Sequence, residues 1–300
     1  MGPKDQPEPL GLIAGWGNYP ILIAQKAHEM GIPVICLGIR GMAKRADFDP
    51  YVHKYYWTRA AALHRPIYCF KKEKIRRYVM AGKVHKKIMF SRFRFLTLLP
   101  DLRMIRFWYS RRLNNADDTL TLGIAKEFEK EGLHLESALQ ICPELLVDPG
   151  ILTEGGLDPK YQDDIAFGWQ LARELGRLDI GQSVMVRERA VLALEAIEGT
   201  DEAIRRAGQL CHHKKFVVVK IAKPNQDMRI DVPTIGPSTI QTMQQSGGKI
   251  LAIEAKKTIF IDQEETVRLA NRAGITIVAL HDAEVMQWYE NLVASLAKAS

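Results

Sequence analysis

The chain has 300 residues, is 47% hydrophobic and carries a net charge of +7, which fits one large or two ordinary globular domains with a real core. No run of about 18 apolar residues occurs, which excludes an obvious membrane-spanning helix, and the opening MGPKDQPEPL lacks the apolar stretch of a secretory signal. Four scattered cysteines, Cys36, Cys69, Cys142 and Cys211, show no CxxC spacing and point to a reducing compartment, the cytoplasm.

Residues 1–9 read as a disordered lead-in. LGLIAG (10–15) predicts a strand, NYPILIAQKAHEMG (18–31) a helix stopped by Gly31, PVICLGI a second strand and VHKYYWT a third. KKEKIRRYVMAG predicts a basic helix ending at Gly82, and KIMFS a fourth strand. DDTLTLGIAKEFEKEG (117–132) opens with acids and ends with glycine, as a helix should. Strands alternating with helices predict a parallel sheet covered on both faces. The pattern then breaks in PELLVDPGILTEGGLDPKYQDD, which holds three prolines and three glycines. Residues 148–162 are read as a linker between domains at 10–147 and 163–300.

The second half begins with a helix over 163–176. GQSVMV and AVLALEAI predict a hairpin, EGTDEAIRRAGQL a turn feeding a helix, and FVVVKIA a buried strand. STIQTMQQSGG predicts a helix, KILAIEA and TIFI strands, and DQEETVRLANRAG a helix opened by a capping box of Asp262 and Glu265. ITIVALH and a last helix close the chain. This half is mixed α/β.

The positive charge is concentrated. Between Lys71 and Arg112 stand 14 Lys or Arg against 2 acids, a local +12 that leaves −5 for the remainder. Phe90, Phe93, Phe95, Phe107, Trp108 and Tyr109 are interleaved with it. A solvated helix face over core aromatics is the plain alternative to an anionic membrane surface or a nucleic acid. No signature of a common nucleic-acid module is present, so no obligate nucleic acid is expected.

Several residues carry candidate chemistry. Gly15 and Gly17 lie between a strand and a helix, where a backbone can approach a phosphate. The third glycine of a dinucleotide fingerprint is missing, and no acid follows the second strand. An NAD(P)-linked oxidoreductase is therefore disfavoured against a nucleoside or sugar phosphate, and a simple tight turn is the structural alternative. Asp117 and Asp118 fit a helix start. Glu195 lies in an apolar stretch, where its carboxylate requires a cation or donor. The adjacent Cys211, His212 and His213 lack a second cluster and do not make a metal site.

The stretch KPNQDMRIDVPTIG (223–236) follows FVVVKIA, at the strand end where α/β sheets bind ligands. Lys220 and Lys223 flank that end. Asp227, Arg229 and Asp231 recur at spacing two, so an extended chain would project them to one side. Carboxylates suit Mg²⁺, and Lys223 and Arg229 suit phosphate oxygens, which together are the parts of phosphoryl chemistry. A salt-bridged loop is the alternative.

GLIAGWGNYP, LDIGQSVMV, LALEAIEGTD, KPNQDMRIDVPTIGPSTI and ILAIEA, in that order, resemble the LpxI family of UDP-2,3-diacylglucosamine pyrophosphatases over nearly the whole chain. The resemblance implies an N-terminal Rossmann-like parallel-sheet domain and a C-terminal mixed α/β domain, with a cleft between them. It implies Mg²⁺-assisted hydrolysis of a lipid-linked UDP-sugar in lipid A synthesis, by a cytoplasmic protein peripheral to the inner membrane. By motif position, Asp227, Asp231, Arg229 and Lys223 are the candidate catalytic residues. Gly15, Gly17, Gln226, Thr200 and Lys220 are the candidates for nucleotide or phosphate. Asp227, Asp231, Glu198 and Asp201 are the candidate Mg²⁺ ligands. The expected partners are the UDP-sugar lipid, an anionic membrane surface and, as an option, a second copy of the chain in a homodimer.

Overall fold

The computed structural model describes residues 7–83, 99–113, 120–224, 226–230 and 232–299. The chain divides into two compact units, residues 1–143 and 144–300.

The first unit runs β1 (Leu10–Ala14), α1 (Tyr19–Glu29), β2 (Val34–Ile39), β3 (Lys54–Thr58), α2 (His64–Lys72), β4 (Arg77–Ala81), α3 (Leu102–Leu113), α4 (Leu120–Glu129) and β5 (His134–Leu135). Its five strands are parallel, in the order β3-β2-β1-β4-β5. The central strand is apolar because both its faces are covered: Leu10, Leu12 and Ala14 are fully buried on one, and Gly11 is buried and Ile13 half-buried on the other. α1 starts with a proline in its first turn and ends before Gly31, whose φ of +70° suits a residue without a Cβ.

The expected basic helix over KKEKIRRYVMAG is not what forms. α2 ends at Lys72, Lys74 takes φ +56°, and Arg77–Ala81 runs extended beside β1. Tyr78, Val79 and Ala81 need burial on both faces of a sheet, and this outweighs the charge pattern that read as helical. The charges are accommodated singly, Lys71 on Glu131 at 2.7 Å and Arg77 on Glu136 at 3.3 Å. Asp101 fastens two helix starts. Its carboxylate accepts from the amides of Leu63 and His64 at 2.8 and 2.7 Å and from that of Met104 at 2.8 Å. The KIMFS stretch lies outside the described residues.

The second unit runs β6 (Gly150–Ile151), α5 (Gln162–Arg177), β7 (Ser183–Arg187), β8 (Ala190–Leu194), α6 (Thr200–Leu210), β9 (Phe216–Lys220), β10 (Thr234–Ile235), α7 (Pro237–Ser246), β11 (Gly248–Glu254), β12 (Ile259–Phe260), α8 (Gln263–Ala273), β13 (Thr276–Leu280) and α9 (Asp282–Ala299). Six strands form a mixed sheet in the order β6-β13-β11-β9-β7-β8, with β13, β11 and β9 parallel and the outer strands antiparallel. β10 and β12 pair separately. Strand alternation splits β9 between two cores. Val217 and Val219 join Trp169 and Val184 on one face, while Phe216 and Val218 join Met185 and Ile204 on the other.

Two local expectations change. The stretch read as a linker, 148–162, belongs to this unit. Ile151 pairs with Val278, Leu152 N–H donates to Ile277 O at 2.9 Å, and Thr153 Oγ1 accepts from Ile277 N–H at 3.0 Å. Its prolines and glycines shape an edge, where few ladder bonds are needed. At the start of α8, Asp262 has φ +47° and makes no side-chain cap, so the capping box does not form. Glu265 pairs instead with Arg268.

The predicted hairpin is present as β7 and β8, joined by Glu188 and Arg189 at φ +50° and +60°. That turn is costly for residues with a Cβ. It is held by buried Asp164, whose carboxylate accepts from the Glu188 and Arg189 amides at 2.9 and 2.6 Å. Asp164→Ala should destabilise the protein by about 2 kcal/mol, the usual worth of bonds to a charged acceptor. Adding Arg189→Gly should recover about 1 kcal/mol by relieving the left-handed residue. Urea denaturation of the single and double variants measures both.

Candidate active site

The C-terminal ends of β9 and β11 share an edge with the start of β7 and the end of β8, because antiparallel pairing brings Ser183 opposite Lys220 and Leu194 opposite Val184. This is the edge at which open α/β sheets receive ligands. Buried side-chain atoms without a hydrogen-bond partner gather here: Gln182 Oε1, Glu195 Oε2 and Gln226 Nε2, among the described residues. Buried polar atoms are normally satisfied, so such a concentration marks a place prepared for polar chemistry.

Residues 227–230 are turned, not extended. Asp227 Oδ1 accepts from the Arg229 amide at 3.0 Å, and Ile230 N–H donates to Asp227 O at 3.0 Å. An aspartate bonding its own backbone two residues on makes this turn, and it overrides the spacing-two reading. The fold-back brings the guanidinium onto the carboxylate. Arg229 Nε lies 3.0 and 3.2 Å from the two Asp227 oxygens, and Nη2 lies 2.7 Å from Oδ2. The Arg229 hydrogen bonds, and the adjacent positive charge, hold the Asp227 carboxyl below the usual aspartate range against a smaller opposing effect of burial. Gln226 closes the start of the segment, accepting from the Lys223 amide at 2.8 Å. Asp231 and Asn225 lie outside the described residues, as do Asp117 and Asp118.

Lys223 extends to Asp179 at 2.5 Å, a partner 44 residues earlier. Lys220 is almost fully buried and donates to Thr200 Oγ1 at 3.0 Å and to Thr234 O at 3.1 Å. Thr200 stands at the first turn of α6, after Gly199 at φ +87°. Glu198 pairs with Arg206 at 2.9 Å, and Asp201 belongs to the first turn of α6, where the helix dipole favours an acid. Glu254 ends β11 with Oε2 accepting from Ala222 N–H at 3.0 Å and Oε1 on Lys257 at 2.7 Å. Sequence reading did not single out Asp179, Gln182 or Glu254. The charge closing the buried run KILAIE was the one signal that would have exposed Glu254.

Magnesium prefers several converging oxygens. Among the described residues no three acids or histidines converge, and Asp227 is engaged by Arg229. Asp227, Glu198 and Asp201 by themselves do not make a metal cage in this arrangement.

In the first unit, Gly15 and Gly17 follow β1 at the switch between β1 and β4, where the chain turns to opposite sides of the sheet. Gly15 N–H donates to Ala81 O at 2.8 Å, and Trp16 and Lys83 exchange backbone bonds at 3.0 and 2.9 Å. A Cβ on Gly15 would meet Lys83 O at 2.9 Å, and one on Gly82 would meet Gly15 C at 2.8 Å. Gly15 is thus required by close approach of two backbones, and its amide is already engaged. Gly17, at φ +107° with open space where a Cβ would sit, is the part of the turn that faces outward.

The Asp227–Arg229 pair has a pH signature. A carboxyl held low stays ionised as pH falls through the ordinary aspartate range, and the pair is lost only when pH passes below the depressed value. NMR titration should find Asp227 ionising below ordinary aspartates, and Arg229→Gln should return it toward them.

Residues 9–145 match the LpxI N-terminal domain and residues 148–278 the LpxI C-terminal domain. A protein of Caulobacter vibrioides named UDP-2,3-diacylglucosamine pyrophosphatase LpxI is 31% identical over 286 residues, covering 92% of this chain and 98% of that protein. Two domain matches in order and a relative aligned over almost its whole length leave one assignment: the chain belongs to the LpxI family.

Proposed function

We propose that this chain hydrolyses the diphosphate of UDP-2,3-diacylglucosamine, releasing UMP and 2,3-diacylglucosamine 1-phosphate in lipid A biosynthesis. The observation that carries the reading is the near full-length likeness to a relative named for that activity. It is supported by a polar, incompletely satisfied edge on the domain that carries the 223–230 segment. In hydrolysis, water forms a bond to one phosphorus, the bridging P–O bond breaks, and a proton leaves the water. An ionised Asp227 suits the orientation of that water or of a cation, and Arg229 and Lys223 suit the growing charge on phosphate oxygens. A Mg²⁺ ion, when bound, would polarise the diphosphate. Asp227 would then have to exchange Arg229 for the ion, which would free the guanidinium for phosphate.

UMP release from the diacylated substrate tests the reading. Asp227→Ala should lower kcat roughly 10²- to 10³-fold while the protein stays folded. Chelation should abolish activity and Mg²⁺ should restore it. Near wild-type turnover of Asp227→Ala would remove the residue assignment, and full activity in chelator would remove the ion.

We further propose that the protein meets its lipid substrate at an anionic membrane surface through α3. None of the described helices is long and apolar enough to cross a membrane. The outer side of α3 exposes Leu102 (80%), Tyr109 (67%), Ile105 and Trp108, with Arg106 among them, while Met104 and Phe107 face the core. Apolar side chains beside cations are the make-up of an interfacial helix. Arg103 differs from Arg106, because Glu131 holds it at 2.8 Å and Glu127 at 3.6 Å. Co-sedimentation with vesicles should need anionic lipid and weaken with salt. It should drop several-fold when Leu102, Ile105 and Tyr109 become Ser or Arg106 becomes Gln, since each exposed cation contributes about 1 kcal/mol at such a surface. Equal pelleting of these variants and the wild type would leave α3 a solvated face.

A further inference from the structure

Hydrogen bonds at the edge of the second sheet form a chain with a single polarity. A lysine ammonium only donates, so Thr200 Oγ1 accepts from Lys220 Nζ at 3.0 Å. The Thr200 hydroxyl proton then goes to Glu195 Oε1, 3.1 Å away. Glu195 sits one residue beyond β8, and its amide donates to Ser183 O at 2.9 Å, which ties it to the central strands. It is 9% exposed, and its second oxygen has no hydrogen-bond partner among the described residues. A buried carboxylate of this kind is costly by itself. Here its charge offsets an ammonium one hydroxyl away.

The other bond of Lys220 gives the arrangement its purpose. Nζ donates to the carbonyl of Thr234 at 3.1 Å. The chain leaves the six-stranded sheet after Lys220, and Thr234 is the first residue of β10, which pairs with β12. One side chain thus holds both feet of the loop that carries Lys223, Gln226, Asp227 and Arg229.

We propose that Glu195 and Thr200 are positioning residues for the hydrolysis: they orient the Lys220 ammonium, which clamps the base of loop 221–233 and so sets where Asp227 stands. This rests on the assignment of hydrolysis to this edge. It gives Thr200 and Lys220 a different task from nucleotide binding, since the Thr200 hydroxyl is engaged on both sides within the protein.

Three variants separate the roles. Thr200→Val keeps the shape and removes the hydroxyl, Thr200→Ser restores it, and Glu195→Gln keeps an acceptor but removes the charge. Amide hydrogen exchange of the 221–234 peptide is read beside kcat and KM for UMP release. Thr200→Val should speed exchange in that peptide about tenfold through easier local opening. It should lower kcat roughly a hundredfold, as a small misplacement of reacting groups does, with KM within about threefold. Thr200→Ser should recover most of both losses, and Glu195→Gln should show the same pattern with smaller changes, about threefold in exchange and about tenfold in kcat. Wild-type exchange in both Thr200→Val and Glu195→Gln overturns the clamp. A raised KM with unchanged kcat also overturns it, because it puts these groups on the substrate. Circular dichroism identifies a variant that has not folded, and Glu195→Gln, being isosteric, then decides. If the wild type releases no UMP, the hydrolysis reading fails separately, while the exchange data still judge the clamp.

Discussion

A charged group at the end of a buried strand constrains everything around it. β9 is a run of valines shared between two cores, and Lys220 is its last residue. Placing an ammonium there, out of water, costs several kcal/mol unless acceptors are arranged around it. The second unit meets that demand with non-local elements. The antiparallel turn of β7 and β8 delivers Glu195, the start of α6 delivers Thr200, and the return of the chain into β10 delivers the Thr234 carbonyl. The loop bearing Asp227 and Arg229 is therefore built upon the solution to a burial problem. A similar logic holds at β11, where Glu254 ends a buried strand and takes the Ala222 amide at the start of the same loop.

The first unit illustrates a different constraint, the distance between two backbones. The turn after β1 and the turn after β4 touch so closely that neither Gly15 nor Gly82 has room for a Cβ. A glycine pair beside a helix start invites a phosphate-cradle reading. Here one glycine of the motif serves packing, and the other alone faces outward. Motif residues that look equivalent in a row of letters can thus have unlike physical reasons.

Much of the fold was legible. The apolar strands β1, β2, β9, β11 and β13 and the helices between them follow from periodicity and from glycine and proline punctuation. The errors share a cause. The charges of KKEKIRRYVMAG suggested a helix, but sheet burial of Tyr78 and Val79 decided for a strand. Prolines and glycines at 148–162 suggested a linker, but an open sheet edge at β13 captured Gly150 and Ile151. At Asp227 to Arg229 an alternating pattern was read as extended, but a side chain bonding its own backbone turned the segment. In each instance a competing interaction that periodicity does not count was the stronger one, non-local in the first two and a side chain on its own backbone in the third.

The candidate site divides along the same line. The sequence by itself determined most of the elements of the second unit, the family, the acidic and basic segment after β9, and the need of Glu195 for a donor. Those are properties of composition and of neighbours in the chain. Only the tertiary structure decided which groups meet: Lys223 with Asp179 across 44 residues, Lys220 with Thr200 across 20, and Trp169 with Asp282 across 113. Long side chains reach several partners from one backbone position. The choice among them is made by strand pairing and by the burial of neighbouring groups, which no short stretch of sequence contains.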